Sequence, residues 1–476
     1  MPELDLLLVQ RGTVTAPAGC GKTQLIADTL KLHVSDKPAL VLTHTNAGKG
    51  ALEARLAKAA VPKGSYRVAT IDSWAISLIS KFPVRSGHNP NVLRLEDPGN
   101  DYVAIRNAAW RLLSQDDITD VLRATYSRLI VDEYQDCTLP QHNIIGWAAN
   151  VLPTCVLGDP LQAIFGFREA TVDWQKDVHA LFPSIGDLNT PWRWRNAGAD
   201  ALGQWLLDAR QNLLTGQPLD LRGAPPEVTW VPIAADPRTA HTQRMEAART
   251  KASTANGTVL VIGDSTSPQG QRQIASQTPG ATTVEAVDLR DLTAFGRSFD
   301  PGGKDAFKAL MNFASEMMTN LGVAELHRRL ESLRKGTARK EATAVETVVL
   351  DFLTAPSFNS ALEVMRALRD GPDVRIYRPE VLHVCLSAMQ VAASGECTFY
   401  EAVVRARERN RHLGRPVMRR AVGSTLLLKG LEADVVVVLN PATMNAKHLY
   451  VALTRGAKRI VVCSPSPILA PVGGAP

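Results

Sequence analysis

Short apolar runs alternate with stretches of helical periodicity over roughly the first two hundred residues. Alternation of this kind is typical of a parallel sheet whose strands are joined by crossover helices. Each run ends in small, polar or acidic residues, which places chemical groups at the carboxyl ends of the strands, where such sheets bind ligands. The predicted strands are Thr13–Thr15, Ala39–Leu42, Leu129–Val131 and Thr154–Leu157.

The pattern changes twice in the rest of the chain. The segment from Gln211 to Pro237 is rich in proline and glycine and is interpreted as a linker. From about Gly303 to Arg411 the periodicity is helical, which indicates an inserted helical domain. Further strands are predicted at Thr258–Ile262, Asp434–Leu439 and Arg459–Cys463. We therefore predict an α/β fold with two parallel sheets and helical insertions.

Composition narrows the class of protein. With 476 residues, of which 45% are hydrophobic, the chain can bury a sizeable core, and 53 basic against 47 acidic residues leave a mild charge of +6. These values exclude wholesale disorder. Because the chain has neither a long apolar run nor a secretion leader, and its six cysteines form no C-x-x-C pair, we expect a cytoplasmic protein with reduced thiols.

A glycine-rich loop follows the first predicted strand. In APAGCGKT, Ala16 to Thr23, the glycines let backbone N–H groups close around phosphate oxygens, Lys22 reaches the terminal phosphates, and the Thr23 hydroxyl can bind Mg²⁺. The alternative is a glycine turn with no ligand. The predicted nucleotide-binding residues in this part of the chain are Ala16, Pro17, Ala18, Gly19, Cys20, Gly21, Lys22, Thr23 and Gln24.

Two adjacent acids follow another predicted strand in the segment RLIVDEYQD. One carboxylate, Asp132, is placed to hold Mg²⁺, and its neighbour Glu133 to activate the attacking water. Taken alone, such a pair is better explained as a solvated loop. Together with the glycine-rich loop, it predicts a site for nucleotide hydrolysis.

Eight motifs in order resemble those of the superfamily 1 DNA helicases of the UvrD/Rep/PcrA type. Between about Gln211 and Arg420 we match no motif. The motifs are APAGCGKT (Ala16–Thr23), THTNAGKGALEARL (Thr43–Leu56), ATIDSW (Ala69–Trp74), VDEYQD (Val131–Asp136), GDPLQAIFGFR (Gly158–Arg168), LNTPWRWR (Leu188–Arg195), KGLEADVVVV (Lys429–Val438) and YVALTRGAKR (Tyr450–Arg459).

The resemblance implies catalytic roles within an ATP site between two RecA-like domains. Gln162 would sense the γ-phosphate, and Glu432 would bind near the ribose. Arg193 and Arg455 would act as arginine fingers that stabilise the charge of the transition state. Arg195 can take the place of Arg193 if the register shifts by two, and either finger could instead be a surface arginine paired with an acid.

The resemblance also implies contacts with single-stranded DNA. Thr43, Thr45 and Asn46 would hold phosphates, and aromatic rings would stack on unpaired bases. For Trp74, packing in the core is an equal alternative. The remaining predicted DNA-binding residues are Phe165, Phe167 and Arg168.

Domain boundaries follow from the motif positions. The first RecA-like domain would take residues 1–80 and 116–205, with a short insertion at 81–115. The second would take residues 206–285 and 421–476, with a helical insertion at 286–420.

One residue of the family pattern has no clear counterpart. Relatives recognise adenine through a glutamine well upstream of the phosphate loop, whereas Gln10 lies too close to that loop. The sequence therefore supports nucleotide hydrolysis more strongly than a preference for ATP over other nucleotides.

The resemblance predicts an ATP- and Mg²⁺-dependent helicase that moves 3′-to-5′ on single-stranded DNA and recognises junctions with duplex, in DNA repair or in phage defence. Its compactness resembles the helicase-like subunit of Gabija phage defence, which suggests a separately encoded nuclease as a partner. Two alternatives stay open. One is a translocase that strips proteins from DNA without unwinding it, and the other is a nucleotide-gated regulatory subunit.

Overall fold

A computed structural model describes residues 4–166, 169–410 and 418–474. The first part of the chain forms a parallel sheet of six strands in the order β3-β2-β4-β5-β1-β6. The predicted strands are confirmed, and two strands were not predicted, β3 and β6. The bounds are β1 (Arg11–Thr15), β2 (Ala39–Thr43), β3 (Tyr66–Thr70), β4 (Leu129–Val131), β5 (Thr154–Gly158) and β6 (Ser184–Asp187).

Helices cover both faces of this sheet, as a sheet that is apolar on both faces requires. They are α1 (Lys22–Leu32), α2 (Asn46–Lys58), α3 (Ile71–Lys81), α4 (Pro83–Ser86), α5 (Pro98–Ser114), α6 (Thr119–Thr125), α7 (Leu139–Ala148) and α8 (His179–Leu181). The next two helices, α9 (Trp192–Asn196) and α10 (Asp200–Leu214), pack chiefly in the core of the second sheet described below. Short 3₁₀ turns lie at Pro90–Arg94, Tyr134–Asp136 and Pro160–Gln162, and a π-helical turn lies at Trp174–Val178.

The order of the strands decides where the predicted chemistry lies. β5 pairs with β1 on one side and with β4 on the other. Because all three strands are parallel, their carboxyl ends meet at one edge of the sheet. The glycine-rich loop after β1, the acidic pair after β4 and the segment after β5 are therefore neighbours, although they are far apart in the sequence.

The segment at 81–115, predicted as a short insertion, packs into the first sheet's own helical layer. Residues of α5, including Ile105 and Leu112, share one hydrophobic core with Leu42 of β2 and Trp74 of α3. In this structure the segment adds to the layer of helices on that face and does not form a core of its own.

The second parallel sheet also has six strands, in the order β10-β13-β9-β14-β15-β8. The interpretation of Gln211–Pro237 as a linker is wrong in part, because the segment contains β8, which pairs with β15 at the edge of this sheet. The elements from β7 to β10 are β7 (Leu219–Asp220), β8 (Val228–Pro232), α11 (Pro237–Ala248), β9 (Val259–Ile262), α12 (Pro268–Gln277) and β10 (Thr282–Thr283). The last part of the chain adds β13 (Arg420–Gly423), β14 (Ala433–Val438), α20 (Ala446–Leu453), β15 (Gly456–Ser464) and β16 (Ile468–Leu469).

A helical region between β10 and β13 has its own hydrophobic core, as the periodicity predicts. Its elements are α13 (Arg290–Ser298), α14 (Ala306–Ser315), β11 (Met318–Thr319), α15 (Val323–Arg334), α16 (Ala344–Thr354), α17 (Phe358–Arg369), β12 (Arg375–Ile376), α18 (Pro379–Ala393) and α19 (Phe399–Asn410).

A buried arginine anchors this helical region to the second sheet. Arg378, which precedes α18 and is 1% exposed, donates to both carboxylate oxygens of Glu285 at 2.8 and 2.9 Å and to Asp291 at 2.9 Å. Glu285 follows β10, and Asp291 lies in α13. Because a buried guanidinium needs such partners, the network fixes the junction between sheet and helices.

Candidate functional site

The glycine-rich loop joins β1 to α1 at the edge of the first sheet. Gly19 and Gly21 have φ angles of 71° and 88°, a region that residues with side chains rarely adopt. Lys22 is the first residue of α1, so the loop's N–H groups and the start of the helix surround one space. This arrangement of amides at a helix N-terminus suits a phosphate group.

The acidic pair follows β4 and faces this loop. Glu133 has a φ of 56°, an uncommon conformation for a residue other than glycine. Its amide donates to the Asp132 carboxylate at 2.9 Å, and its own carboxylate accepts from the Gln135 amide at 2.5 Å. The Gln135 amide oxygen in turn accepts from the backbone N–H of Asp159 after β5 at 3.0 Å. The chain after β4 is thus held in one orientation by bonds to both sides.

Lys22 forms ion pairs with both acids. Its Nζ lies 2.5 Å from Glu133 and 3.1 Å from Asp132. Burial alone would lower the pKa of Lys22, but the two carboxylates outweigh it and raise that pKa. For Glu133, burial opposes ionisation, yet Lys22 and Lys429 lower its pKa to about 2. The pKa of Asp132 is raised, chiefly by burial and against the pull of Lys22.

The donor set of this cluster fits a nucleotide phosphate with Mg²⁺. The site combines backbone amides, the Lys22 cation, the Thr23 hydroxyl and the two carboxylates. Oxygen ligands of this kind are what Mg²⁺ uses when it bridges protein and phosphate. Gln24, also predicted to bind nucleotide, instead donates to Asp28 at 2.8 Å and accepts from Arg55 at 3.1 Å.

Two arginines lie near this cluster, in the cleft between the first and the second sheet. Arg455, between α20 and β15, is 3% exposed and lies 3.5 Å from the amide oxygen of Gln162. Burial, with the nearby Arg193 charge, lowers the pKa of Arg455 to about 10. Arg193 in α9 donates to the Thr454 carbonyl at 2.6 Å and pairs with Glu432. Arg455 is still charged at neutral pH, and burial and the Arg193 charge both disfavour that charge. An anion bound in the cleft would therefore stabilise the Arg455 cation.

Arg193 and Arg195, which the sequence left as alternatives for one arginine finger, have different surroundings in the structure. Arg195 is turned away from the cleft, where its Nε lies 3.7 Å from Asp200 and its guanidinium covers the Trp192 ring at 5.8 Å. Both partners of that ion pair are at least half exposed. Arg193 is therefore the arginine of α9 that faces the predicted site.

Two tryptophans of α9, which we did not predict as site residues, lie against the glycine-rich loop. A Cβ added to Gly19 would come within 2.5 Å of the Trp194 ring, and one added to Gly21 within 3.0 Å of the Trp192 ring. Trp194 is buried and donates to the Gly456 carbonyl at 2.9 Å, whereas Trp192 is 44% exposed. The exposed ring offers a flat apolar surface beside the phosphate loop.

Lys429 is also a site residue that was not predicted, although it begins one of the matched motifs. Its Nζ lies 2.6 and 2.5 Å from the two carboxylate oxygens of Asp136 and 2.6 Å from the Gln162 carbonyl. It also lies 4.6 Å from the centre of the Phe165 ring. Lys429 belongs to the chain between β13 and β14, so these contacts join the two sheets. A further contact between the two halves of the chain comes from Tyr450 of α20, whose hydroxyl accepts from the Ala18 amide at 3.1 Å.

The predicted DNA-binding residues separate into accessible and buried ones. Thr45 caps α2 by accepting from the Gly48 amide at 3.0 Å, and Asn46 beside it is exposed. Phe165 is partly exposed, with the His44 ring 5.9 Å away. Thr43 is 1% exposed, so its side chain is not on a surface. Phe167 and Arg168 lie outside the described residues.

The prediction that Trp74 stacks on a DNA base is not supported by its position. Trp74 is 3% exposed and packs in the core between the first sheet and its helices. The alternative, core packing, describes its place in this structure, because the ring is almost wholly buried in one cluster with Leu40, Leu78 and Ile105.

Comparisons with known proteins support the helicase resemblance. Residues 99–183 match the family model described as the UvrD/REP helicase N-terminal domain, and this stretch contains two of the quoted motifs, VDEYQD and GDPLQAIFGFR. The predicted resemblance to UvrD/Rep-type helicases is thereby confirmed over residues 99–183. The likeness to the Gabija subunit gains no support from this match. No curated protein sequence matches the chain significantly.

Two solved structures align with this chain over most of its length, at low sequence identity and with low TM-scores. One is an arterivirus helicase, nonstructural protein 10, in complex with DNA, with 10% identity and a TM-score of 0.35 over 96% of this chain. The chain spans 61% of the length of that protein. The other is the Pif1 helicase from Candida albicans, with 12% identity and a TM-score of 0.40 over 95% of this chain and 91% of that one.

Across the parts of the chain that the structure describes, every helix is too short or too polar to span a bilayer.

The ion pairs of Lys22 predict how stability depends on pH. In the native protein, the lowered pKa of Glu133 contributes stability that is present above pH 5 and lost as the pH falls towards 2. In Lys22→Ala, the buried Asp132 carboxylate and the partly exposed Glu133 carboxylate lose the cation that contacts them both, so the pKa of Asp132, already raised by burial, rises further. We expect a loss of about 3 kcal/mol in the free energy of unfolding at pH 8 and a clearly smaller loss at pH 5.

Urea unfolding at both pH values measures this difference. Lys49→Ala is the matched control, because Lys49 lies in an exposed pair with Glu53 at 3.8 Å. It should cost less than about 0.5 kcal/mol at either pH. An equal loss at pH 5 and pH 8 for Lys22→Ala would show that the carboxylates do not depend on this cation.

Proposed function

We propose that this protein is an ATP- and Mg²⁺-dependent motor that moves 3′-to-5′ on single-stranded DNA and separates duplex strands. The observation that carries the proposal is the composition of one cleft. Lys22, Asp132 and Glu133 of the first half face Arg455 of the second half, with Gln162 between them. A phosphate loop, a magnesium carboxylate, a base and a buried arginine are the parts that phosphoryl transfer needs. The polarity rests on the family resemblance.

Lys22 would change partners when nucleotide binds. In the structure it neutralises Asp132 and Glu133, which occupy the position that a metal would share. The phosphates of ATP would draw Lys22 away, and the freed Asp132, with Thr23, would then hold Mg²⁺. Bound Mg²⁺ neutralises phosphate charge. Glu133, which Lys429 also helps to keep ionised, would accept the proton of the attacking water.

Arg455 of the second half, together with Arg193 and Gln162, would complete the site during hydrolysis. Arg455 and Arg193 supply positive charge to the γ-phosphate as charge spreads in the transition state, and Gln162 orients it. Glu432, now paired with Arg193, is 53% exposed and free to accept from the ribose once Arg193 turns to phosphate. The exposed Trp192 ring beside Gly21 would stack on the base, which compensates for the unsuitable position of Gln10.

Nucleotide and DNA would be coupled through Lys429. This cation contacts Asp136 after the acidic pair, the Gln162 backbone and the Phe165 ring. Thr45, Asn46 and Phe165 would form the DNA-facing side. A change in the cleft that moves Lys429 would therefore also move the aromatic side chain on which a base stacks, and this links hydrolysis to movement along DNA.

We propose the domain arrangement that the motifs predict, with one amendment. Residues 1–205 form the first RecA-like domain including the segment at 81–115, because α5 packs in that domain's core. Residues 206–285 and 421–476 form the second, and 286–420 form the helical insertion with its separate core.

Replacement of the proposed base separates binding from turnover. Glu133→Gln should bind ATP·Mg²⁺ nearly as well as the native protein, because Glu133 acts on water in the transition state. Its single-turnover hydrolysis in the presence of single-stranded DNA should fall by at least about 10³-fold. Glu246→Gln, on the exposed side of α11, serves as the control and should hydrolyse normally.

Assays on the native protein and on the Glu133→Gln variant also distinguish the proposed motor from the two alternative functions. The proposal expects DNA-stimulated turnover in the native protein and unwinding of a 3′-tailed but not a 5′-tailed duplex. Turnover that displaces streptavidin from a DNA end without unwinding would favour the stripping translocase. Binding of ATP with no DNA-stimulated turnover would favour the regulatory subunit, and normal hydrolysis by Glu133→Gln would remove Glu133 from the role of base.

The two arginines of α9 should differ sharply in their effects. Arg193→Ala should lower kcat by about 10³-fold while changing ATP affinity less than about tenfold, since the contribution is made in the transition state. Arg195→Ala should change kcat less than about threefold, because its partner is an exposed aspartate. Steady-state kinetics with saturating single-stranded DNA measure both. A larger loss in Arg195→Ala would reverse the assignment.

A further inference from the structure

The outer edge of the first sheet is formed by β3. The Ala39 amide of β2 donates to the Ser65 carbonyl at 2.9 Å, which sets the direction of alternate backbone groups. In a strand, the N–H and C=O of one residue point the same way, so those of Arg67 and Ala69 also face β2. The backbone groups of Tyr66 and Val68 therefore point outward, away from the sheet.

This edge has little protection of its own. The Arg67 guanidinium donates to the Tyr66 carbonyl at 3.1 Å and to the Lys63 carbonyl at 3.3 Å. Among the described residues, the Val68 N–H and C=O meet no hydrogen-bond partner beyond the edge. Proteins usually cover, shorten or charge such an edge, because it can pair with another chain. Here the exposed Arg67 side chain occupies the outward carbonyl of Tyr66, and a change of rotamer would release that carbonyl.

A cavity of about 510 Å³ opens directly beside this edge. Trp74 and Leu40 give it an apolar floor, and Ser73, Ser77 and Tyr126 supply hydroxyl groups. Its two charged lining residues are both basic, Arg67 and Lys81, and both are exposed. The lining that the structure describes contains no acidic residue. Charge and shape together suit an acidic ligand with an apolar side chain.

We propose that the β3 groove, defined by the Val68 edge and this cavity, binds an extended acidic segment of a partner protein. The segment adds a strand beside β3, its backbone pairing with the outward N–H and C=O of Tyr66 and Val68. One apolar side chain enters the cavity above Trp74, and flanking carboxylates pair with Arg67 and Lys81. A polypeptide is favoured over DNA because only a peptide backbone matches alternating donors and acceptors along a strand edge. The groove lies on the outer strand, with two strands between it and β5, and is separate from the proposed nucleotide cleft.

Fluorescence anisotropy with the full chain and a defined set of probes tests this proposal. The first probe is a short labelled peptide in which glutamate alternates with phenylalanine or valine. The second replaces each glutamate by lysine, and the third carries N-methyl groups on the amides of one edge. The acidic peptide should bind at least about tenfold more tightly than either of the others. Unlabelled oligothymidine serves as the competitor.

Charge-reversed variants locate the binding. The double variant Arg67→Glu with Lys81→Glu should weaken the acidic peptide at least about tenfold and improve the lysine peptide. Lys304→Glu with Lys308→Glu makes the same charge change on the exposed surface near α14 and should leave both affinities unchanged. The far-ultraviolet circular dichroism and the urea midpoint should stay unchanged in both variants, which shows that they are folded and keeps this test independent of the proposed motor function.

Three results would overturn the proposal. Equal binding of the acidic and N-methylated peptides would show that no strand is added at the edge. Unchanged affinity in the Arg67→Glu/Lys81→Glu variant, or no binding of the acidic peptide, would show that the groove is not a peptide site. Displacement of the peptide by oligothymidine, lost in the same variant, would make this surface a nucleic-acid contact.

Discussion

The ion pair between Lys429 and Asp136 is the contact on which the arrangement of the two sheets depends. Both side chains are less than one-tenth exposed, and they come from different sheets. A buried carboxylate or ammonium without a partner is strongly unfavourable, so the two sheets must lie where this pair can form. A similar pair, Arg210 with Asp159, lies behind it, again with both groups buried. The cleft therefore has a defined geometry and is not a loose gap between two bodies.

That geometry explains why the proposed nucleotide and DNA sides lie so close together. The chain after β4 carries Asp132 and Glu133 at one end and Asp136 at the other, within a single turn. Lys429 holds the Asp136 end and also touches Phe165, while Lys22 holds the Asp132 end. A change of charge at one end is felt at the other through groups in direct contact. Buried ion pairs of this kind have few alternative arrangements, which favours discrete states over gradual deformation.

The sequence predicted four of the six strands of the first sheet, because buried strands carry short apolar runs. It also predicted that Lys22, Asp132 and Glu133 follow two of these strands, and the structure brings the three side chains into contact. The edge strands β3 and β8 were missed, since half-exposed strands such as Tyr66–Thr70 and Val228–Pro232 carry a weak apolar pattern. The contacts of Lys429, Tyr450 and Trp192 join parts of the chain more than 150 residues apart, and no local pattern records them. Trp74 shows the reverse case, where a matched motif could not distinguish a core residue from a surface one.

The central claim is that hydrolysis occurs in a site built from both sheets, and Arg455 tests it most directly. It is buried, it comes from the second half, and it contacts the first half only through Gln162 among the hydrogen bonds described. The measurement is single-turnover ATP hydrolysis by Arg455→Ala with saturating single-stranded DNA, beside Arg459→Ala, an exposed arginine of β15, as control. The account predicts a fall of about 10³-fold or more, with ATP affinity changed less than about tenfold and the control unaffected. Hydrolysis by Arg455→Ala within about threefold of the native rate would contradict it, because the first sheet would then suffice for catalysis.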